Sequence, residues 1–153
     1  MLNRRFFISL AALTGLGAAG AGKVRAAAVA SMDKSKKHHV VYHLSEPGKA
    51  NFVLNNIRNH VKGVGGAQNV EIVLVVHGPG LKAFNMVSGD QKALGKLANL
   101  QKEANIAFRA CGNTMRALKV GLDDLPPGTT RISQGGVVHI MELQEAGYSY
   151  IRP

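Results

Sequence analysis

The sequence predicts an α/β protein built on a mainly parallel sheet. Two observations carry this. From His39 onward, short β-branched runs alternate with longer segments of helical periodicity, the pattern of strands joined by crossover helices. The first run, Val40-Val41-Tyr42-His43-Leu44, is also apolar nearly throughout, as a strand covered on both faces must be.

The elements follow in order. Val40 to Leu44 form the first strand. Ser45 offers a helix cap, Pro47 sits where a first turn tolerates it, and Val53, Leu54, Ile57 and Val61 fall on one helical face. Gly63 to Gly66 end that helix. Val70 to Val76 make the second strand, running into His77-Gly78-Pro79-Gly80, a turn that continues neither strand nor helix. Ser88 and Gln91 have capping-box spacing ahead of a helix with Leu94, Leu97 and Ala98 facing inward. Asn105 to Ala110 form the third strand, and Cys111 follows at once. Gly112-Asn113-Thr114 opens a helix carrying Met115 and Leu118 and stopping at Gly121. A loop at Leu125-Pro126-Pro127-Gly128, a short strand over 130–133, a helix over 136–146 and a last strand over 148–151 complete the chain.

The N-terminus reads as an address. Arg4-Arg5 with Phe7 two positions on, a weakly apolar glycine-rich stretch, and then Lys23 and Arg25 have the layout of a twin-arginine export signal. Cleavage is expected at Ala26-Ala27-Ala28 or Ala28-Val29-Ala30. The chain thus divides into a signal over 1–30, a basic linker over 31–38 that takes in Lys34-Ser35-Lys36-Lys37 and His38, and a domain over 39–153, with a periplasmic destination. Removing residues 1–30 takes away Arg4, Arg5, Lys23 and Arg25, so the formal net charge falls from +10 to about +6. The 123 residues left suffice for one core without disulfides. No basic stripe interleaved with aromatics is present, so nucleic acid is not an expected partner.

Three chemically able residues fall at the carboxyl edge of the strands, the ligand end of an open α/β sheet: His43, His77 and Cys111. Cys111, the one cysteine of the chain, sits at a helix N-terminus, where free amides and the helix dipole favour thiolate, the nucleophilic form. Gly112 would let a substrate approach the backbone, and Asn113 or Thr114 would cap the helix or donate to a sulfur-bound anion. Equally, a buried cysteine can serve as a small apolar residue. His77, held by Gly78-Pro79-Gly80, is either a general acid or base, a positive neighbour to the thiol, or a strand-end histidine bonded to a loop carbonyl. His43 is a ligand residue or is packed under the following helix. His39 is assigned with His38 to the linker, His60 to an exposed helix face and His139 to the last helix. Cys111, His43 and His77 are of the right type for copper or zinc, but nothing along the chain has metal-ligand spacing, and no metal is assigned. Nucleophile-elbow, Walker-loop and zincin-helix motifs are all missing, and no cofactor is called for.

The strand ending in His77-Gly78-Pro79-Gly80-Leu81, the passage Phe108-Arg109-Ala110-Cys111-Gly112-Asn113-Thr114-Met115, and the closing Leu143-Gln144-Glu145-Ala146-Gly147-Tyr148-Ser149-Tyr150-Ile151 resemble the DsrE/DsrF-like family, small α/β proteins of sulfur relay that include TusD-type carriers. The resemblance covers nearly all of 39–153. It implies a three-layer sandwich with a five-stranded, mainly parallel sheet between helices, assembled into a homotrimer or homohexamer. It also implies that the cysteine at position 111 carries sulfur as a persulfide between a donor and an acceptor, which are proteins or small sulfur compounds. Relay members of that family are cytoplasmic, so an exported member needs a different donor and acceptor. Three readings follow: an exported sulfur carrier using Cys111 and His77, with Gly78, Gly112, Asn113, Thr114 and His43 at the substrate; a metal- or small-ligand-binding module in the same pocket; or a structural oligomer with an inert thiol. The carrier reading leads because a carrier needs only one cysteine, exchange running to another molecule's sulfur.

Overall fold

The structure is a computed structural model in which residues 37–153 are described. The expected signal over 1–30 and most of the expected linker lie outside the described residues.

Five strands form one sheet: β1 (His38–Leu44), β2 (Val70–Val76), β3 (Ala107–Cys111), β4 (Thr130–Ile132) and β5 (Ser149–Ile151). Their order is β4-β3-β2-β1-β5, and every pairing is parallel. β1 begins at His38, so His38 and His39 belong to the sheet and not to the linker; they pair in register with Val70 and Glu71. Side chains alternate between the faces, and the two faces carry separate cores. Val40, Tyr42, Leu44, Ile72, Leu74, Val76, Phe108 and Ala110 pack against α1 (Ala50–Gly63), α2 (Gln91–Ala104) and α3 (Gly112–Leu118). Val41, Val73, Val75 and Ile132 pack on the other face against Ile140 of α4 (Gly136–Glu145). Helices therefore cover the sheet on both sides, which is why the strands read as continuous apolar runs.

Helix α1 buries Ala50, Val53, Leu54 and Ile57, the expected stripe, with Val61 packed at its margin. It starts later than expected because Pro47–Lys49 form a 3₁₀ turn, and Ser45 does not cap it; the Ser45 hydroxyl instead meets Arg152 from the C-terminus. In α2 the cap is Asp90, not Ser88: Asp90 Oδ1 accepts from Lys92 N at 2.9 Å and Ala93 N at 3.0 Å. An ionised carboxylate is the stronger acceptor for these orphan amides, while the Ser88 hydroxyl donates to Asn85. The capped register buries Ala93, Leu97, Leu100 and Ala104 and leaves Ala98 exposed. Asn105, expected to open β3, terminates α2 in the left-handed region. Helix α3 likewise ends before Gly121, at a left-handed Lys119.

Candidate functional site

Parallel register brings the strand ends to one edge. Leu44 pairs with Val76 and Val76 with Ala110, so His77 and Cys111 leave adjacent strands side by side. By alternation both lie on the α4 face, with His43 two positions beyond Val41 on that same face. The residues after β2 form a 3₁₀ helix over Gly78–Phe84, where the sequence suggests a turn that continues neither strand nor helix. Gly80 anchors it: its N–H donates to Ser45 O at 2.7 Å, and a Cβ there would stand 2.8 Å from the Ser45 carbonyl carbon. Gly78, at φ +56, then aims its N–H at Thr114 Oγ, 2.8 Å away.

Cys111 is the residue immediately ahead of α3 and is 5% exposed. Its sulfur accepts the Gly136 N–H at 3.2 Å, across 25 residues of sequence. Burial works to raise the thiol's pKa, yet the net direction is downward, because the Gly136 amide donates to the sulfur and the Thr114 amide and hydroxyl and the Asn113 amide stand near it and favour its charged form. The first amides of two helices thus converge on one thiolate. Thr114 is the joint between neighbouring segments: its oxygen accepts from Gly78 while its hydroxyl proton faces the sulfur.

His43 and His77 stack, with ring centroids 4.6 Å apart and planes 25° apart. His43 is 8% exposed, and its Nδ1 lies 2.7 Å from Tyr150 Oη. Burial, then His77 and Arg152, push its pKa down to about 4. Burial and the Arg152 charge also lower that of His77. Of the roles open to His77, this direction favours the neutral imidazole over a positive neighbour for the thiol. As a neutral ring it is fit to take up and return a proton.

A groove of about 300 Å³ opens over the sulfur, and His77, Gly78, Cys111, Asn113 and Thr114 line it together with Gln134, Gly135 and Gly136. Val137 and Val138 supply its apolar lip. Of the residues expected at the substrate, two are placed otherwise. His43 stands behind His77 and outside the groove lining. Gly112 is buried beneath the site: a Cβ there would meet Ile132 O at 2.7 Å, so its bare Cα serves the α3–β4 contact and not a substrate. The Asn113 side chain does not cap α3; it accepts from Arg116. Sequence reasoning missed Gly136, Gln134, Tyr150 and Arg152. The one local signal was Gly135-Gly136 between a strand and a helix. Among the described residues, no group of three or more His, Cys, Asp or Glu side chains is arranged to hold a metal ion, and no helix is long and apolar enough to cross a membrane.

A model of the DsrE/DsrF-like family matches residues 26–153. Among solved structures, the protein of unknown function MTH1491 from Methanobacterium thermoautotrophicum is 30% identical, with a TM-score of 0.67, and the match covers 76% of this chain and 100% of that one. The ychN protein from E. coli is 14% identical, with a TM-score of 0.58, over 77% of this chain and 99% of its own, a likeness of fold alone. No curated protein gives a match.

Proposed function

Because this chain belongs to the DsrE/DsrF-like family, we propose that it serves a sulfur relay, with Cys111 as the atom that carries the sulfur. One observation carries this reading: the Cys111 sulfur sits at the floor of an open groove and is met by the Gly136 amide and by the donors of Thr114 and Asn113. Those contacts favour a thiolate, which both attacks and leaves more readily than a thiol.

In the loading step the Cys111 thiolate attacks the outer sulfur of a donor persulfide, R–S–SH. The Sγ–S bond forms as the donor's S–S bond breaks, and the donor departs as the thiolate RS⁻. His77 takes the proton from the transferred sulfur. In the unloading step His77 returns that proton to the outer sulfur and an acceptor thiolate attacks it. The acceptor's S–S bond forms as the Sγ–S bond breaks, and Cys111 leaves as the thiolate its amide ring stabilises. No oxidant enters, since each step exchanges one S–S bond for another. The amide donors contribute twice, once in making the nucleophile and once in making the leaving group.

The relay is assigned to the periplasm, on the strength of Arg4-Arg5 and the following apolar stretch. Cell fractionation of the wild type beside an Arg4→Lys/Arg5→Lys variant tests this; retention of both in the cytoplasm would overturn it. Assembly into a homotrimer or homohexamer is supported by Val137, Val138 and Met141, which stand 68%, 40% and 50% exposed on α4. Native mass spectrometry reads the copy number.

The deciding test of the carrier is intact mass of the protein purified without reductant, before and after exposure to glutathione persulfide, beside Cys111→Ser. One added sulfur, removed by reductant and missing from the variant, is expected. An unchanged mass together with a thiol that resists alkylation in the folded state would overturn the reading.

A further inference from the structure

Proton exchange with the transferred sulfur asks the His77 ring to face the Cys111 groove with a nitrogen free, and no hydrogen bond holds the ring there. Among the described residues, histidine ring bonds are made by His43, His60 and His139, and His77 makes none. A histidine base commonly has its orientation set by a partner at its second nitrogen. Here both nitrogens are open to solvent and substrate, so the orientation comes from contacts at the root and on the flat face of the ring. At the root, an added Cβ on Gly136 would stand 3.2 Å from His77 Cβ. On the face lies the His43 ring, with centroids 4.6 Å apart and planes 25° apart.

His43 is anchored in turn. Its Nδ1 lies 2.7 Å from Tyr150 Oη. Tyr150 stands on β5 in register with Val41, two positions before His43 and on the same face of β1. His43 Nε2 is buried with no hydrogen-bond partner among the described residues, so Tyr150 is the one polar anchor of the ring. The titratable and charged groups facing His77 are His43 from β1, Cys111 from β3 across the groove, and Arg152 from the C-terminal segment, which is held by Ser45 and Glu46. From α4 it meets the uncharged Gly136. Burial is the leading cause that lowers the pKa of His77, and His43 supplies part of that cover.

We propose that His43, anchored by Tyr150, is a positioning residue for His77: its stacked ring sets the plane in which His77 presents a nitrogen to the transferred sulfur. The chemistry served rests on the carrier reading, whereas the placement of His77 stands on the geometry of the stack.

The test compares full-length wild type, His43→Ala and His43→Phe by two readouts. The first is long-range proton–nitrogen NMR of the imidazoles across pH, which needs no sulfur chemistry. His77 should titrate below 6.5 in the wild type and move up toward 6.5 in His43→Ala, as water reaches the uncovered face. In His43→Phe it should return toward the wild-type midpoint, because a flat ring restores the stack. The second readout is the initial rate of loading from glutathione persulfide, against pH and donor concentration, beside iodoacetamide alkylation of Cys111. In His43→Ala the maximum loading rate at pH 7 should fall about ten-fold. The half-saturating donor concentration should stay unchanged, and the acid limb of the rate profile should move up with the His77 midpoint. Alkylation, which asks no proton transfer of His77, should keep its wild-type rate.

A His77 midpoint unmoved in His43→Ala would overturn the proposal, and so would loading and alkylation falling in step, the mark of a collapsed groove. His43→Phe titrating like His43→Ala would overturn it too, by tracing the effect to the imidazole nitrogens and not to the stack. If His43→Ala loses its fold by circular dichroism, Tyr150→Phe decides, since it removes one hydroxyl from an exposed edge position. That variant should raise the His77 midpoint, and an unmoved midpoint would overturn the anchored stack. A wild type that takes up no sulfur defeats the carrier reading alone, because the NMR titration reads the placement of His77 by itself.

Discussion

The His43 and His77 imidazoles stack 4.6 Å apart at the carboxyl edge of the sheet, with Tyr150 Oη 2.7 Å from His43 Nδ1. Protonation of both rings is disfavoured, by burial first and then by His77 and Arg152 for His43 and by Arg152 for His77. A stacked neutral pair is cohesive, whereas a stacked cationic pair repels itself. Protonation of this pair therefore acts on the whole edge where β1, β2 and β5 meet.

The consequence for stability has a definite sign. The unfolded chain protonates His43 near its ordinary 6.5, while the folded chain resists until about 4. Between those values the unfolded state holds more protons, so stability is fully present above pH 6.5 and falls as the pH drops toward 4. Denaturant unfolding at pH 7 and pH 4.5 should differ by on the order of 2 kcal/mol, less than the full shift would give because water reaches the outer rim of the pair. His43→Gln should flatten that difference. An equal slope in wild type and variant would assign the pH dependence to other groups.

Thr114→Val separates the hydroxyl from the rest of the thiolate's support. The substitution keeps the shape of the side chain but removes the acceptor for Gly78 N–H and the donor facing the Cys111 sulfur. Alkylation of Cys111 at pH 7 should slow on the order of ten-fold, the worth of one hydrogen bond to a charged sulfur. The protein should also lose about 1 kcal/mol as the Gly78 amide goes unpaired. Thr114→Ser should restore both. Alkylation at wild-type rate in Thr114→Val would leave the sulfur dependent on the backbone amides alone.

How far these relationships were legible depends on how far apart their members lie in sequence. The strands were legible because a sheet covered on both faces must be apolar throughout, and Val40 to Leu44 and Val70 to Val76 are. Cys111 stood out as the sole thiol at a strand-to-helix junction, and His77 as a strand-end histidine locked by glycines. The local rules failed where two of them competed: Ser88 has capping-box spacing, but Asp90 lies nearer to the helix and accepts more strongly. They were silent on long-range partners. Tyr150 reaches His43 across 107 residues, and Gly136 reaches Cys111 across 25. The charge state of His77 depends on burial and on Arg152, neither of which a strand-end motif reveals. Gly112 was misread for a related reason: its neighbour is the Ile132 carbonyl, brought close by the β3–β4 pairing.

Two glycine-to-alanine substitutions test whether Gly136 is required by the site or merely tolerated at a helix start. A Cβ on Gly136 would lie 3.2 Å from His77 Cβ, 3.3 Å from Cys111 Cβ and 3.4 Å from Val75 Cγ1. Those atoms sit at or next to the ends of neighbouring strands and have little room to give. Gly136→Ala should therefore cost about 1–3 kcal/mol. It should also carry the Gly136 amide off the Cys111 sulfur, slowing alkylation and lowering persulfide loading together. Gly95→Ala is the counterpart. Gly95 is exposed within α2 with nothing within 4 Å of the added carbon, so relief of backbone entropy should stabilise the protein by about 0.5–1 kcal/mol with Cys111 reactivity unchanged. The pair is read by thermal denaturation and by alkylation rate on the same samples. If Gly136→Ala unfolds like Gly95→Ala and loads sulfur at the wild-type rate, the amide of Gly136 does not hold the thiolate. Loss of loading with little loss of stability would place Gly136 among the groups that position the reacting sulfur.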